Sequence, residues 1–428
     1  SMSHNHYLKE NQAAIEKIKT LLESGEQPNI ELAFQLLKGG GLSPQLTTHL
    51  YALSIFYNEN NTLKRTAKRY YKSLASQNLY AFTKYKWNVY GEYYNEAKMT
   101  KFLTKMAQHQ ELDGPVLANM AVRYLQKGLK YCLENRTAPP QNILAQFVDH
   151  DMLDLDYMSL NELPKEIGCF PEIKYLYLEG NDFTDIPDEI ASLTQLQSLS
   201  YRDTPLSAEA LQKLETFFPK IFAAQYYLEV IDDINQGRNY DHSLQVLNKV
   251  LTLDPTYANA WNDKGRVLQE SKRPEEALEC YDKYFEFAKL DTDKALSRVN
   301  KALALQNLGW EDEVHQTALE ATQILQQIPS RNHDRVYYFS QGLALFFMKD
   351  YEQALVAYDQ GLKRDKYDGV LWYNKACTYA KQHKKQEMIA HLKRAIQLRE
   401  RFREEAPEDT DFKNYWQDPA FVQVLKEA

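Results

Sequence analysis

The sequence predicts a mainly α protein in three parts: a helical N-terminal region, a short ribbon of parallel strands, and a C-terminal solenoid of helix hairpins. Three observations predict it. Up to about residue 140, apolar residues keep a helical period broken by capping residues and glycines. Between about 149 and 218 the period changes to 23 residues. Beyond 221, a pattern of aromatic and small residues returns every 34 to 40 residues. The expected domains are 1–140, 141–218 and 221–428.

Bulk properties narrow the function classes. The 428 residues are 44% apolar and 26% charged, which suits soluble domains with real cores. No run approaches the roughly 20 apolar residues of a membrane helix, so no membrane partner is expected. Cys132, Cys169, Cys280 and Cys377 are scattered without a C-x-x-C pair, and read as thiols in a reducing compartment. The first residues lack the charged-then-apolar layout of a secretory signal, so a cytoplasmic location is expected. The net charge of −8 is uneven: residues 1–148 carry 18 Lys/Arg against 11 Asp/Glu, and the remainder 33 against 48. A basic head on an acidic body implies separate partners, or electrostatic docking of the two parts.

In the head, His4 and His6 stand in a polar stretch and read as solvated rather than metal-binding. Ala14, Ile15, Ile18, Leu21 and Leu22 predict a helix that ends by Gly25. A second, from about Ile30 to Leu37, stops at Gly39-Gly40-Gly41, a run without the following Gly-Lys-Ser/Thr of a phosphate loop. Ser43-Pro44 opens a third helix with Leu46, Leu50, Leu53 and Phe56. Asn60 or Asn61 caps a fourth with Leu63, Ala67, Tyr70, Tyr71 and Leu74. Gly114-Pro115 starts another, running through Leu133, and Thr137–Pro140 marks a boundary. Short antiparallel helices of this kind resemble HEAT-type repeats or an orthogonal bundle. Lys64, Arg65, Lys68, Arg69 and Lys72 form a basic run, followed by Tyr80, Lys84, Tyr85, Lys86, Trp87 and Tyr90. It reads either as a single-strand nucleic-acid surface, with phosphates on cations and bases on rings, or as a solvated helix face with tyrosines packed between helices.

In the ribbon, Leu153, Leu176 and Leu199 recur, as do Leu155, Leu178 and Tyr201, and Leu160, Phe183 and Leu206. Leu163-Pro164 matches Ile186-Pro187, and Ile167 matches Ile190. Segment 174–196, KYLYLEGNDFTDIPDEIASLTQL, is similar to the leucine-rich repeat. The resemblance implies a buried asparagine at Asn181, with Met158 and Thr204 in its place in the flanking turns. Two and a half turns need caps, expected at Ile143–Val148 and Ala208–Phe217. The 23-residue register stacks Asp154 on Tyr177, and Asp156 on Glu179 and Arg202. With Tyr175 these line the expected concave face. They form either a small partner-binding patch or a surface on which Arg202 neutralises Glu179.

In the C-terminal half, the small-residue position of each second helix falls at Ser243, Ala277, Val314, Ala354 and Met388. First helices carry Tyr227, Trp261, Tyr338 and Trp372, with Gly265, Ala302, Gly342 and Ala376 one turn on. Gly265 is expected to face Ala277, letting two helices approach, and the third hairpin to carry extended helix ends. These residues resemble the tetratricopeptide repeat, in five copies. The tail DTDFKNYWQDPAFVQVLKEA resembles the end of bacterial arrays of that family, with Phe412, Trp416, Phe421 and Leu425 covering the last hairpin.

The family resemblance implies a concave groove that holds an extended peptide or a partner helix. Its lining here would include Asn259, Asn262, Arg266, Gln269, Asn300, Gln306, Phe339, Leu343, Tyr373 and Asn374, amides suiting a peptide backbone because they donate and accept at once. The Lys/Asn/Arg clamp of chaperone-binding members is missing, with Leu228 and Asp232 at its first sites. The alternative is a groove filled by the chain's own N-terminal domain or by a second copy.

No G-x-S-x-G elbow, H-E-x-x-H, phosphate loop or dinucleotide fingerprint occurs, and the histidines lack metal-ligand spacing. The expectation is a non-catalytic scaffold that binds a protein or peptide, without cofactor or metal. The alternative is a nucleic-acid-associated adaptor that uses the head.

Overall fold

The helix Thr47–Phe56 is buried at every one of its ten positions. Its sequence, TTHLYALSIF, has no Lys, Arg, Asp or Glu, so no face of it favours water. Helices Gln12–Glu23, Asn61–Leu74 and Gly114–Leu125 pack around it. This computed structural model describes residues 11–84 and 95–427, so His4, His6, Tyr85, Lys86, Trp87 and Tyr90 lie outside the described residues. The chain divides into two compact units, residues 1–221 and 222–428. The head and the ribbon share the first.

The capping residues act as their chemistry dictates. Asn11 accepts from the Ala14 amide, and Asn60 from those of Thr62 and Leu63. Ser43 caps a 3-10 turn, Pro44–Leu46, ahead of the central helix. Two expectations need correction. Gly39 and Gly40 lie inside the helix Gln27–Gly40, and the stop is Gly41, at φ 82°. The helix from Gly114 does not run to Leu133: it ends at Leu125, and Leu129–Glu134 is separate. Gln126 at φ 50° and Gly128 at φ 95° turn the chain, and buried Glu96 accepts from the amides of Gly128 and Lys130.

The ribbon is a four-stranded sheet of β1 (Val148–Asp149), β2 (Met152–Asp154), β3 (Tyr175–Tyr177) and β4 (Ser198–Ser200), in that order. β2, β3 and β4 are parallel, with Leu153, Leu176 and Leu199 in one row, as the 23-residue period requires. The expected N-terminal cap is only partly helical. Pro140–Leu144 is followed by a 3-10 turn, and Val148 enters β1, antiparallel to β2, which closes the sheet edge. The helix Ala208–Phe217 forms as expected, and Lys213 Nζ reaches the Ile186 carbonyl at 3.1 Å.

Asn181 is buried, and its amide holds the bend of the ribbon. Nδ2 donates to the carbonyls of Leu155 (2.8 Å) and Leu178 (3.1 Å), and Oδ1 accepts from the Leu160 amide at 3.1 Å. Thr204, one turn on, takes over part of this work: its hydroxyl accepts from the Asn181 backbone N–H and donates to Leu178 O.

Five helix hairpins and a C-terminal segment follow the ribbon, the first helix starting just before the unit boundary: Pro219–Asn235 with Tyr240–Leu253, Ala258–Glu270 with Pro274–Phe287, Asp291–Asn307 with Glu311–Gln326, Arg335–Phe347 with Tyr351–Arg364, and Gly369–Lys381 with Lys385–Leu398. The third has the expected extended ends, at 17 and 16 residues. The atoms nearest to Gly265 belong to a ring on the second helix rather than to Ala277. A Cβ on Gly265 would lie 2.7 Å from the ring of Tyr281, one turn beyond Ala277, and one on Gly342 would lie closer still to Tyr358. Both rings are fully buried. In the third and fifth hairpins the residues at the same spacing are Ala302 with Ala318 and Ala376 with Leu392, all buried in one cluster. Glycine thus appears where the partner is a ring, and alanine where it is smaller.

Two outcomes follow from this packing. Gly342→Ala should destabilise by about 1–3 kcal/mol through overpacking, even though alanine favours the helix. Gly39→Ala, with nothing within 4 Å, should instead gain up to about 1 kcal/mol. Chemical denaturation of both variants checks the opposite signs. Asn181→Ala leaves the Leu155 carbonyl and the Leu160 amide unpartnered, and should cost about 1–3 kcal/mol for each, measured the same way.

Candidate functional site: the concave face of the hairpin array

The ribbon's outward residues are brought together in part. Tyr177 pairs in register with Asp154, and Tyr175 with Met152. Arg202 Nη2 lies 3.1 Å from Glu179 Oε2. Asp156 Oδ1 accepts from the Glu179 amide at 2.6 Å, while burial raises its carboxyl above the usual range. In the head, Lys64, Arg65, Lys68, Arg69 and Lys72 share the helix Asn61–Leu74, whose other face buries Ala67 and Tyr71. Tyr71 bonds Thr83 in the core, and Tyr70 packs edge-on against Phe34. Those two rings serve packing.

In the array, the amides named from sequence meet across hairpins. Asn300 Nδ2 donates to Asn262 Oδ1 at 2.9 Å. Asn262 Nδ2 and Asn300 Oδ1 have no partner among the described residues. Asn259 is exposed one turn earlier. Arg266 Nη1 donates to Asp263 Oδ1 at 2.8 Å, and buried Asp263 also accepts from the Tyr227 hydroxyl at 2.5 Å. Burial, with the Asp263 charge added, holds the Tyr227 hydroxyl protonated far above its usual range. Gln269 accepts from the Tyr281 hydroxyl. Asn374 is half-buried, and its carbonyl accepts from Thr378. Gln306 and Phe339 are half-buried and Leu343 is buried.

Tyr373 is covered by the chain's own C-terminal segment. Residues 399–412 return over the first helix of the fifth hairpin, where Tyr373, Cys377 and Lys381 follow one another at i, i+4 and i+8. The ring of Phe402 stacks on Tyr373, with centroids 4.3 Å apart and planes at 15°. The Tyr373 hydroxyl donates to Asp409 Oδ2 at 2.8 Å, the Cys377 thiol lies 3.8 Å from the same oxygen, and Lys381 pairs with Asp411 at 3.0 Å. Phe402, Ala406 and Phe412 join Leu343 and Tyr373 in one buried cluster. The segment also reaches the first two hairpins. Glu408 pairs with Lys272 at 3.1 Å, and Arg401 Nη1 lies 4.0 Å from where a Cβ on Gly237 would stand.

Sequence reasoning missed Phe402. Its signal was the i, i+4 pair Phe402–Ala406 inside the charged run RERFREEAPED. The cap residues it did name are placed as expected: Phe412 and Phe421 are buried, with Trp416 and Leu425 packed against the same cluster. Cys377, Asp409 and Asp411 bring ligand atoms within 4.8 Å of one another, a set the sequence spacing did not suggest. Here Lys381 and Tyr373 engage both carboxylates, so the cluster fastens the tail. Burial and the neighbouring Asp409 raise the Asp411 carboxyl to about 6, against the pull of Lys381. Burial raises Glu405 to about 7, Glu270 and Asp409 adding to it and Arg401 and Arg399 opposing.

The C-terminal half contains tetratricopeptide repeats: models of the tetratricopeptide repeat match residues 246–279, 336–368 and 370–402. Comparison with curated proteins finds no match. Among solved structures, a crystal structure of MamA protein is 17% identical, covering 42% of this chain and 93% of its own at a TM-score of 0.26. YrrB, described as a TPR protein with an unusual peptide-binding site, is 18% identical, with 47% and 100% covered at 0.28. The APC/C hetero-tetramer Cut9–Hcn1 is 14% identical, with 91% and 80% covered at 0.25. No helix among the described residues is long and apolar enough to cross a membrane.

The raised carboxyls set a pH dependence. A buried carboxyl whose folded pKa exceeds its unfolded value adds stability below the unfolded value, and that stability is lost as pH rises through the folded one. For Glu405 this window runs from about 4.5 to about 7. The melting temperature should therefore fall between pH 5 and pH 7.5 by about 2–4 °C per kcal/mol lost. Glu405→Gln, fixed in the uncharged form, should flatten that slope in a fluorimetric melting series.

Proposed function

We propose that this chain is a non-catalytic scaffold whose tetratricopeptide array binds an extended peptide or helix of a protein partner along the first-helix face. The observation that carries the reading is the Asn262–Asn300 pair. Two amides from successive hairpins are held by one shared hydrogen bond, and each keeps a free polar atom, one donor and one acceptor. That is what an extended backbone needs for paired recognition. Exposed Asn259 and partly exposed Arg266 extend the row towards solvent.

We read the remainder of the chain as a helical domain, 1–140, and a short leucine-rich segment, 141–218, beside the array domain, 221–428. The Asn181 network and the 23-residue strand register support the middle assignment. Cys132, Cys280 and Cys377 are buried free thiols and Cys169 is an exposed one, which supports a reducing, cytoplasmic setting.

A peptide-display selection on the whole chain tests the reading. Asn259→Ala with Asn262→Ala should weaken the recovered peptides at least tenfold in fluorescence anisotropy, with cooperative unfolding retained. Equal affinity for the double variant and the parent would sink it.

A further inference from the structure

The segment that covers Tyr373 has the properties of a bound ligand rather than of a repeat. It has one short helix, Phe402–Glu405, and a 3-10 turn, Thr410–Tyr415, in place of a sixth hairpin. Its contacts alternate between one apolar anchor and a series of acids. Phe402 enters against Tyr373, and Ala406 is buried in the same cluster. Asp409 and Asp411 then meet Tyr373 and Lys381 of the fifth hairpin, and Glu408 meets Lys272 of the second. An array end needs a lid only over its last helices. A lid confined to that role has no reason to reach Lys272.

We propose that residues 399–411 are a built-in ligand of the array, and that the face beneath them takes in exchange a partner segment of the same chemistry: an aromatic ring followed six to nine residues later by two or three carboxylates. This rests on the reading that the array binds peptides, and names the class of peptide. The exchange is thermodynamically ordinary. A tethered segment competes at the high effective concentration set by its tether, so a free peptide sees only the undocked fraction of the protein. The arrangement keeps a buried apolar slot covered until a partner with a matching ring and acids is present.

The test uses the whole chain and a fluorescein-labelled peptide of residues 399–412. Phe402→Ala empties the slot from within. The labelled peptide should then bind at least tenfold more tightly than to the parent protein, and the same peptide with alanine in place of Phe402 should bind neither. Should Phe402→Ala lose cooperative unfolding, Glu408→Lys with Asp409→Lys replaces it. That pair reverses the tail's charge opposite Lys272 and at the carboxylate that holds the Tyr373 hydroxyl, and alters no residue of the hairpins. Hydrogen exchange should then rise across 399–412 and stay unchanged across 335–398, with the same gain in peptide binding. A folded variant with an exposed tail that binds the peptide no better than the parent overturns the proposal, as does unchanged exchange across 399–412. Because none of these changes touches Asn259 or Asn262, failure here is distinct from failure of the groove reading at the second hairpin.

Discussion

Two glycines set against two tyrosine rings fix the distance between the helices of the second and fourth hairpins. At Gly265 and Gly342 the first helix has no side chain, and the rings of Tyr281 and Tyr358 occupy the space a Cβ would take. Because protein interiors are close-packed, the missing volume on one helix and the excess on its neighbour must be matched. Stacking of hairpins, the row of amides along their first helices and the path of the tail all depend on that spacing. Where the ring is absent, as in the third hairpin, the corresponding positions hold two small buried residues, Ala302 and Ala318.

Much of this architecture is legible in the residues because it is periodic. A 23-residue repeat admits only one parallel register, and the pairing of Leu153, Leu176 and Leu199 follows from it. Hairpin positions follow equally from the recurrence of Trp, Gly, Ala and Tyr. What escapes the sequence is aperiodic. Gln126 adopts φ 50° without any residue type announcing it, and so the helix from Gly114 breaks where its apolar pattern continues. Phe402 is a single ring in a charged run, and composition alone places such a run in solvent. Its burial comes from the surface it returns to, which no local pattern encodes.

The candidate site divides along the same line. Asn262 stands three residues before Gly265 and Asn300 two before Ala302, so both are placed on successive first helices by spacing, while their meeting is seen only in the hydrogen bond between them. Arg266 and Gln269 were also named from position, yet their partners, Asp263 and Tyr281, hold them to their own hairpin. Burial, hydrogen bonding and charge decide what each polar group is available for, and position in the repeat decides only which way it points.

The tail's reach from Lys381 to Lys272 has a consequence for the history of the gene. Repeat arrays commonly grow and shrink by duplication or loss of whole units, because each unit touches only its neighbours. Here a chain of about a dozen residues spans from the fifth hairpin to the second. Adding or deleting one hairpin between them would shift Glu408 away from Lys272 by the width of a helix pair, at 8–10 Å per helix. The third and fourth hairpins are therefore fixed in number by a contact that neither of them makes. Lineages that vary the repeat count should vary or abandon this tail together with it.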